Sequence, residues 1–500
     1  MQVTPDFAAF ARAYEEGRPS LVWTSLVADL ETPVSAMLKL ADGRPNSFLF
    51  ESVEGGATRG RYSFIGMKPD IIWRCRRDKA EINRNARSDP DSFEPVEGGA
   101  LASLRALIRE CRVETPPGLP PMAAGLFGYM GYSMVGLIER LPDTKPDTLS
   151  IPDGIFLRPT VICIFDNIAD RVTVVTPVWP QKGLAARAAY DLARERLADI
   201  IADFDRNLPH RREAPEVVTE LPAPKPNMSR DACLKMVETA KEYIRAGEIF
   251  QVVPSMRFTL PFRLPPFALY RALRRLNPSP FLFFLDSGNF SVVGSSPEIL
   301  VRLRDNKVTI RPLAGTRRRG ATPEEDRALA EELLADPKEL AEHLMLLDLA
   351  RNDVGRVAKI GTVKVTEKMV IERYSHVMHI CSHVEGTIDP RYEAMDALAA
   401  GFPAGTLSGA PKVRAMEIID ELEPERRNLY GGAAGYFAGD GSMDTCIVLR
   451  TAIVKDGQMI VQAGCGVVAD SDPAAEHQEI LDKARALFRA AEEAMRFARG

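Results

Sequence analysis

Short segments with strand character, joined by connections of hairpin length, recur through both halves of this sequence. They include residues 161–165 and 172–176 in the first half and residues 281–285 and 291–294 in the second. Consecutive strands joined so closely pair antiparallel, whereas a parallel pair needs a crossover of a dozen residues or more. A few helical segments separate the groups of strands. The pattern predicts an α+β protein with largely antiparallel sheets, not a doubly wound fold.

A proline-rich, charged and aperiodic stretch at residues 207–228 interrupts this pattern. Such a composition is typical of a linker or a long crossover. We therefore expect an N-terminal part, residues 1–215, and a C-terminal part, residues 229–497, in which Ser229 is the N-cap of the first helix.

The composition is that of a soluble globular chain, with 45% hydrophobic and 27% charged residues among 500 and a net charge of −5. The negative charge argues against a general nucleic-acid or anionic-membrane surface. An uncharged run at 115–138 is long enough for a membrane span, but prolines and glycines break it, so we expect buried loop and strand there. Seven cysteines without a CxxC pair and the absence of a secretory pattern predict a cytoplasmic protein.

The run GTLSGAPKVRAMEIIDELE, residues 405–423, joins a glycine loop to a helix. Pro411 suits the first helical position, and Val413, Met416 and Ile419 follow at helical spacing. Free backbone N–H groups at such a helix start can bind an anion. An ordinary turn before a surface helix has the same pattern, so this run alone leaves both interpretations open.

Two predicted helices carry acidic stripes. Glu339 and Glu342 lie three residues apart on one helix, and Glu476, Glu479 and Lys483 share one face of the last helix. Carboxylates from separate helices offer the hard oxygen ligands that Mg²⁺ accepts when water and substrate complete its shell. The alternative is that both stripes are solvated faces with incidental charge pairs.

The strand SHVMHICSHVEG places His379, Cys381, His383 and Glu385 on one face. These side chains could form a zinc site, although strand spacing alone does not build a tetrahedron. A pocket histidine that moves protons near neutral pH is the preferred interpretation, and a hydrogen-bonded core histidine is the other alternative.

Arg450 follows the apolar run CIVL, and a buried arginine there needs an anionic partner. The backbone of Gly464 and Gly466 could approach the same anion. Together with the carboxylates, these residues predict a pocket for a small, multiply anionic substrate bound with Mg²⁺.

These runs together resemble the chorismate-utilising enzymes, and within them most closely the large subunits of anthranilate synthases. The resemblance covers nearly the whole chain and is carried by GEIFQVVPS, NPSPFLFFL, GSSPEIL, RPLAGTRRRG, AEHLMLLDLARNDVGRV, YSHVMHI, FPAGTLSGAPK and IVLRTA. It implies a fold of two sheets sandwiched between helices, to which the N- and C-terminal parts both contribute. It also implies amination of chorismate at C2, loss of the C4 hydroxyl, and elimination of pyruvate to give anthranilate.

On matching positions, the resemblance implies that Glu342 and Glu479 bind Mg²⁺, with Glu476 acting directly or through water. The metal would hold the ring carboxylate. The enolpyruvyl carboxylate would be held by a second group of residues, with Lys483 adding positive charge nearby: Tyr430, Arg450, Gly464 and Gly466.

Glu298 matches the acid that protonates the departing C4 hydroxyl. That role requires a protonated carboxyl, so we expect burial and neighbouring anions to raise its pKa. Thr406 and His379 match residues that border the ring, and His379 would assist the later loss of pyruvate.

Two positions distinguish members of the family. Members that add water at C2 carry a lysine base where this chain has Gln251, and ammonia, already a nucleophile, needs no such base. Aminodeoxychorismate synthases often carry a nucleophilic lysine where this chain has Ala314. Both positions favour direct amination at C2. The alternatives are an aminodeoxychorismate synthase that lacks the lysine, or a catalytically silent regulator that binds chorismate or tryptophan.

The resemblance further implies a separate glutamine amidotransferase subunit that supplies ammonia, and hence a hetero-oligomer. It also implies feedback inhibition by L-tryptophan. The FLFES and NPSP motifs and one buried cysteine match the walls of the inhibitor site, which in this chain are Glu51, Ser52, Pro280, Phe281, Leu282 and Cys446.

Overall fold

The computed structural model describes residues 1–41, 43–54, 58–208, 221–374 and 377–497. Helices and antiparallel strands occur in nearly equal amounts, and every strand pairing within these ranges is antiparallel. The predicted α+β class is therefore confirmed. The uncharged run at 115–138 contains a buried strand, as expected. Across the described ranges, no helix is both long and apolar enough to cross a membrane.

The helices are α1 (Phe7–Glu15), α2 (Pro33–Ala41), α3 (Ala100–Glu110), α4 (Ala186–Phe204), α5 (Arg230–Arg245), α6 (Pro266–Leu276), α7 (Pro323–Ala335), α8 (Pro337–Gly355), α9 (Ala394–Gly401), α10 (Lys412–Leu422) and α11 (Pro473–Phe497). The strands are β1 (Ser20–Val27), β2 (Ser47–Glu54), β3 (Thr58–Arg76), β4 (Lys79–Asn83), β5 (Glu94–Val96), β6 (Gly125–Met130), β7 (Gly154–Asp166), β8 (Arg171–Val178), β9 (Lys225–Pro226), β10 (Gln251–Val252), β11 (Ser255–Pro261), β12 (Phe281–Asp286), β13 (Phe290–Ser296), β14 (Ile299–Arg304), β15 (Lys307–Ile310), β16 (Leu313–Arg318), β17 (Lys364–Arg373), β18 (Val377–Thr387), β19 (Gly409–Ala410), β20 (Ala433–Ala438), β21 (Met443–Ile447), β22 (Thr451–Lys455) and β23 (Gln458–Gly464).

The strands form two layers that share one long ladder, β3 with β7. The first half of β3 pairs with the second half of β7 beside β8 and β2, and this layer continues through β12, β13, β22, β23 and β11. The second half of β3 pairs with the first half of β7 beside β6, and that layer continues through β20, β21, β14, β15 and β18. We call these the first and second layers. Hydrogen bonding is therefore continuous between the two predicted sheets.

The change of layer occurs at a pair of prolines. Pro69 lies opposite Pro159, and the register then shifts so that Ile71 faces Arg158. Proline has no N–H to give to a ladder, so it is tolerated at a bulge or bend and excluded from the middle of a flat sheet.

An aromatic core fills the space between the layers. Phe48 of β2 stacks on Phe127 of β6 with ring centroids 4.8 Å apart, and Phe64 meets Tyr436 edge-on. Two further hydrophobic clusters cover the outer faces. One lies beneath α1, α2, α4, α5, α6 and α11, and the other beneath α3, α8 and α9. The arrangement is the expected pair of sheets between helices.

The N- and C-terminal parts interlock through these layers. In the first layer β2 lies between β3 and β12, and in the second layer β6 lies between β7 and β20. Residues 209–220 of the expected linker lie outside the described residues, and its end forms the short strand β9 beside β11. Ser229 caps α5 as expected, accepting from the Ala232 N–H at 3.2 Å. The division of function between residues 1–215 and 229–497 stays a prediction.

A buried ion pair lies beneath the loops that follow β10 and precede β19. Arg427 and Glu423 have side chains only 1% and 3% exposed, and their closest atoms are 2.6 Å apart. Arg427 also donates to the Leu407 and Val253 carbonyls, while Glu423 accepts from the Ser255 N–H and hydroxyl. The pair therefore fastens two separate loops to one point.

We expect Arg427→Met to reduce the free energy of unfolding by about 3–5 kcal/mol, because it leaves the Glu423 charge buried without its partner. Urea denaturation followed by circular dichroism measures the change. Arg391, whose side chain is 77% exposed beside Asp389, provides the matched control, and Arg391→Met should leave the free energy of unfolding nearly unchanged. Equal losses in the two variants would contradict a structural role for the buried pair.

Candidate active site

The predicted catalytic residues converge where several strands end. Glu298 lies in the turn between β13 and β14, His379 lies on β18, and Arg450 lies between β21 and β22. Thr406 precedes β19, whose two residues pair with Gln251 and Val252 of β10. These segments come from distant parts of the sequence, and the two layers bring them together.

Glu298 is buried, and burial raises the pKa of its carboxyl to about 8. The Thr406 hydroxyl lies 3.2 and 3.3 Å from its two oxygens, and the Leu313 N–H also donates to it. The expected rise in pKa is confirmed, but one of its expected causes is wrong. The neighbours that act on the carboxyl are not anions: Leu313, Thr406 and the positive Arg450 all lower the pKa, and burial outweighs them.

His379 is a buried, neutral imidazole. Its Nδ1 lies 3.2 Å from the Gly315 carbonyl and 3.0 Å from the Thr316 hydroxyl. A carbonyl only accepts, so Nδ1 carries the proton and Nε2 keeps a free lone pair. Burial, and then the charge of Arg450, lower the pKa of His379 to about 4. The ring is thus unprotonated at neutral pH, and the expectation of a histidine that titrates near neutral pH is wrong, because burial disfavours the imidazolium.

Arg450 is half-buried and supplies the positive charge of the site. Burial lowers the pKa of its guanidinium, and the charges of Tyr374 and Glu298 oppose that shift. No described residue forms an ion pair with it, which leaves its donors available for an anion. The prediction that Arg450 needs an anionic partner is consistent with this arrangement.

Tyr430 and Gly464 are in direct contact. The Gly464 N–H donates to the buried Tyr430 hydroxyl, and a Cβ at Gly464 would lie 2.7 Å from the Pro254 carbonyl oxygen. Only glycine fits at that position. Lys483 donates to the Gly464 carbonyl at 3.0 Å and pairs with Glu479 at 2.6 Å, so it links the two predicted groups of ligands.

The carboxylates of α8 and α11 face one another. Burial raises the pKa of Glu342, and the nearby Glu479 and Glu339 raise it further. Burial and the charge of Glu479 also raise the pKa of Glu476, whose Oε2 is buried without a hydrogen-bond partner. Glu339 forms an ion pair with Arg317, whose Nη1 lies 3.1 Å from Glu339 Oε1.

This donor set fits a hard cation. Crowded carboxylates with raised pKa values and an unsatisfied buried oxygen are relieved by a divalent ion that also takes water and substrate oxygens. Among the described residues, no group of three or more acidic, histidine or cysteine side chains lies close enough together to hold a metal ion by itself. The alternative of a zinc site is therefore not supported, because its four residues do not form such a group: His379, Cys381, His383 and Glu385.

Gln251 lies between a predicted metal ligand, Glu342, and a predicted substrate-binding residue, Gly466. Its Nε2 donates to Glu342 Oε1 at 3.0 Å, and its buried Oε1 has no partner. A Cβ at Gly466 would approach Gln251 Nε2 to 2.8 Å, so Gly466 leaves room for this amide.

The residues predicted for an inhibitor site gather around the β2–β12 ladder but occupy both of its faces. Glu51 faces α6, where Tyr270 donates to it at 2.7 Å and Arg274 donates twice at 2.8 Å. Leu282 lies opposite Glu51, whereas Cys446 belongs to the core between the layers. Ser52, Pro280 and Phe281 are half-buried nearby.

Several contacts of the site were missed by sequence reasoning. Thr316 contacts His379, Arg274 and Tyr270 hold Glu51, and Arg427 anchors the loops around Gln251 and Thr406. The signal for Thr316 was its place in RPLAGTRRRG, next to the diagnostic Ala314. No periodicity or spacing marks the other three.

The fold and this combination of acid, histidine, arginine and carboxylates define a class of enzyme for a small anionic substrate. The family model described as chorismate binding enzyme matches residues 61–489, and the chain belongs to that family.

The relatives within the family carry a more particular name. The chain is 60% identical to anthranilate synthase component 1 of Cereibacter sphaeroides over 493 residues, which cover 99% of this chain and 98% of the relative. It is 47% identical to the protein of that name from Pseudomonas putida, with 93% of each chain covered. The crystal structure of anthranilate synthase component I from Streptococcus pneumoniae superposes with a TM-score of 0.75 at 34% identity, covering 86% of this chain and 92% of that one.

We expect the stability of the wild-type protein to fall as pH rises from about 4.5 to about 8, relative to Glu298→Gln. Folding raises the pKa of Glu298 from 4.5 to about 8, so the folded state binds more protons than the unfolded state in this window. Thermal denaturation of both proteins across that range measures the difference. Parallel stability curves for the two proteins would contradict a raised pKa at Glu298.

Proposed function

We infer that this chain is the chorismate-aminating component of an anthranilate synthase, and that it acts in tryptophan biosynthesis. The observation that carries this inference is a buried, protonated acid, Glu298, beside a positive Arg450 without an ion-pair partner among the described residues. The identity of 60% over nearly the full chain to an anthranilate synthase component 1 supports it.

The residues have distinct roles in this proposal. Arg450, Tyr430 and the Gly464 backbone hold the enolpyruvyl carboxylate, and this binding fixes the ring for attack. Ammonia forms the new bond at C2 while the C4–oxygen bond breaks, and Glu298 gives its proton to the departing hydroxyl, which leaves as water. Thr406 orients the Glu298 carboxyl. The C3–oxygen bond then breaks as the C2 proton is removed, pyruvate leaves after a proton is added to its methylene carbon, and the ring becomes aromatic; the unprotonated Nε2 of His379 assists this proton transfer.

We propose Mg²⁺ as the cofactor, held by Glu342 and Glu479 with Glu476 contributing directly or through water. When bound, it neutralises the ring carboxylate of chorismate. Gln251 orients Glu342, and Lys483 limits the repulsion around Glu479.

Two positions favour ammonia at C2 over the rival chemistries. Gln251 is an amide and cannot act as the base that a water nucleophile needs. Ala314 cannot attack C2 covalently. The rival assignment is an aminodeoxychorismate synthase, and the identity of the amino product separates the two. A silent regulator would not need Glu298, His379, Thr406 and Arg450 to be present together.

The purified chain, given chorismate, Mg²⁺ and ammonium salt at alkaline pH, should form anthranilate, detected by fluorescence after chromatography. Alkaline pH supplies free ammonia but deprotonates Glu298, so the rate should pass through a maximum near pH 8. EDTA or Glu479→Ala should abolish turnover. Glu324→Ala is the matched control, because Glu324 is an exposed carboxylate on a different helix, α7, and this variant should retain turnover. A 4-amino product would replace the assignment with aminodeoxychorismate synthesis.

We further propose that a separate glutamine amidotransferase subunit supplies ammonia in the cell, consistent with the name component 1 among the relatives. We propose that residues 1–215 are the regulatory part, which binds tryptophan together with walls from the C-terminal part, and that residues 229–497 are the chorismate-binding part. Glu51, Ser52, Pro280, Phe281, Leu282 and Cys446 would bound the inhibitor site. Binding at the two sites must then be reciprocal, so saturating chorismate should weaken tryptophan binding.

Ser52→Phe should abolish tryptophan inhibition while leaving anthranilate formation within about twofold. Ser52 packs against Gly60, where a Cβ would lie 2.5 Å from the serine Oγ, so a phenyl ring must displace the strand that carries Glu51. The measurement is the tryptophan concentration that halves the rate. Ser25→Phe on the exposed part of β1 is the control and should leave inhibition intact. Unchanged inhibition in Ser52→Phe would show that tryptophan binds elsewhere.

A further inference from the structure

The backbone of Arg450 has an unusual conformation. Its φ is +47°, in the left-handed region that a residue with a side chain rarely occupies. Such a conformation costs free energy and persists only where the surroundings hold it. The Arg450 carbonyl accepts the Ser295 N–H at 3.2 Å, and the next residue, Thr451, pairs with Gly294. The end of β13 is therefore the element that holds this strained peptide.

Ser295 is itself fixed from the other side. It is completely buried, and its hydroxyl donates to the Asn277 carbonyl at 2.5 Å and accepts from the Asn277 side-chain amide at 3.2 Å. Asn277 is the C-cap of α6, with its own N–H bonded to the Leu273 carbonyl. Ser295 thus joins the end of a helix to the backbone of Arg450 with both its hydroxyl and its N–H.

The helix α6 is held in place by hydrogen bonds to the first layer. One turn before Asn277, Arg274 holds the buried Glu51 of β2 through two hydrogen bonds, and Tyr270 adds a third. Ser295 therefore fixes the position of the Arg450 peptide relative to α6. That helix is itself hydrogen-bonded to the first layer.

We propose that Ser295 is a positioning residue for the substrate-carboxylate clamp, holding the strained Arg450 peptide in register with α6. The inference rests on the proposed function, in which Arg450 binds a carboxylate of chorismate. Ser295 does not touch the substrate. Its hydroxyl keeps β13 at the distance from α6 at which its N–H meets the Arg450 carbonyl.

The test compares Ser295→Ala with Ser291→Ala in the full chain. Both serines are buried on β13, but the Ser291 hydroxyl bonds to Asp286, and Ser291 pairs with Val454 of β22, at the far end of the ladder from Arg450. The chorismate KM and kcat for anthranilate formation are measured with saturating ammonium and Mg²⁺, together with the Mg²⁺ activation constant.

Because two hydrogen bonds of ordinary strength are lost, Ser295→Ala should raise the chorismate KM by about 5- to 20-fold. The kcat and the Mg²⁺ activation constant should stay within twofold of wild type. Ser295→Cys, which keeps a weak donor of similar size, should give an intermediate KM. If the alanine variant does not fold, the cysteine variant takes its place in the comparison with Ser291→Ala. Ser291→Ala should match wild type.

Equal KM values in the Ser295 and Ser291 variants, with the wild type active, would overturn the positioning role alone. A parallel loss of kcat and of Mg²⁺ activation in Ser295→Ala would also overturn it, because that result indicates general damage. A wild-type chain that forms no anthranilate would overturn the proposed function, and the role of Ser295 with it.

Discussion

The candidate active site depends on the buried ion pair between Arg427 and Glu423. Removing two charges from water is costly, and a single Coulomb contact does not by itself offset that cost. Here the pair gains hydrogen bonds from the Leu407 and Val253 carbonyls and from Ser255. Leu407 directly follows Thr406, and Val253 and Ser255 lie two and four positions after Gln251. The ion pair therefore holds two irregular loops in place beside the candidate catalytic residues Thr406 and Gln251.

The carboxyl groups of Glu298, Glu342 and Glu476 have raised pKa values, and burial is the largest cause at each of them. The pKa of Glu298 rises because its carboxyl is buried, against the pull of Arg450, and the result is a neutral acid that can donate a proton. Burial also raises the pKa values of Glu342 and Glu476, and the negative charge of Glu479 adds to the rise at both. The proposed Mg²⁺ would relieve this repulsion, whereas Glu298 has no carboxylate among its main neighbours and suits its proposed role as an acid.

The features that were predictable from the sequence are local. Hairpin-length connections indicated antiparallel strands, Ser229 was recognised as a cap, and Glu298 was expected to have a raised pKa because it matches the acid of the family. The contacts that were missed join distant segments. Gln251 and Glu342 are 91 residues apart, and Arg274 and Glu51 are 223 apart. Their pairing follows from the order of strands within each layer, which single-sequence periodicity does not specify. For the same reason the neighbours of Glu298 could not be identified as two neutral hydrogen-bond donors and one cation instead of anions.

The interlocking of the two parts has a consequence for the integrity of the polypeptide. A break between residues 208 and 221 would leave covalently separate chains, but β2 would still lie between β3 and β12, and β6 between β7 and β20. Neither fragment alone can satisfy the hydrogen bonds along these seams, and each would expose a long apolar strand edge of the kind that promotes aggregation. Fragments of this protein should therefore regain a native fold by complementation, when both are present together, and precipitate when expressed singly.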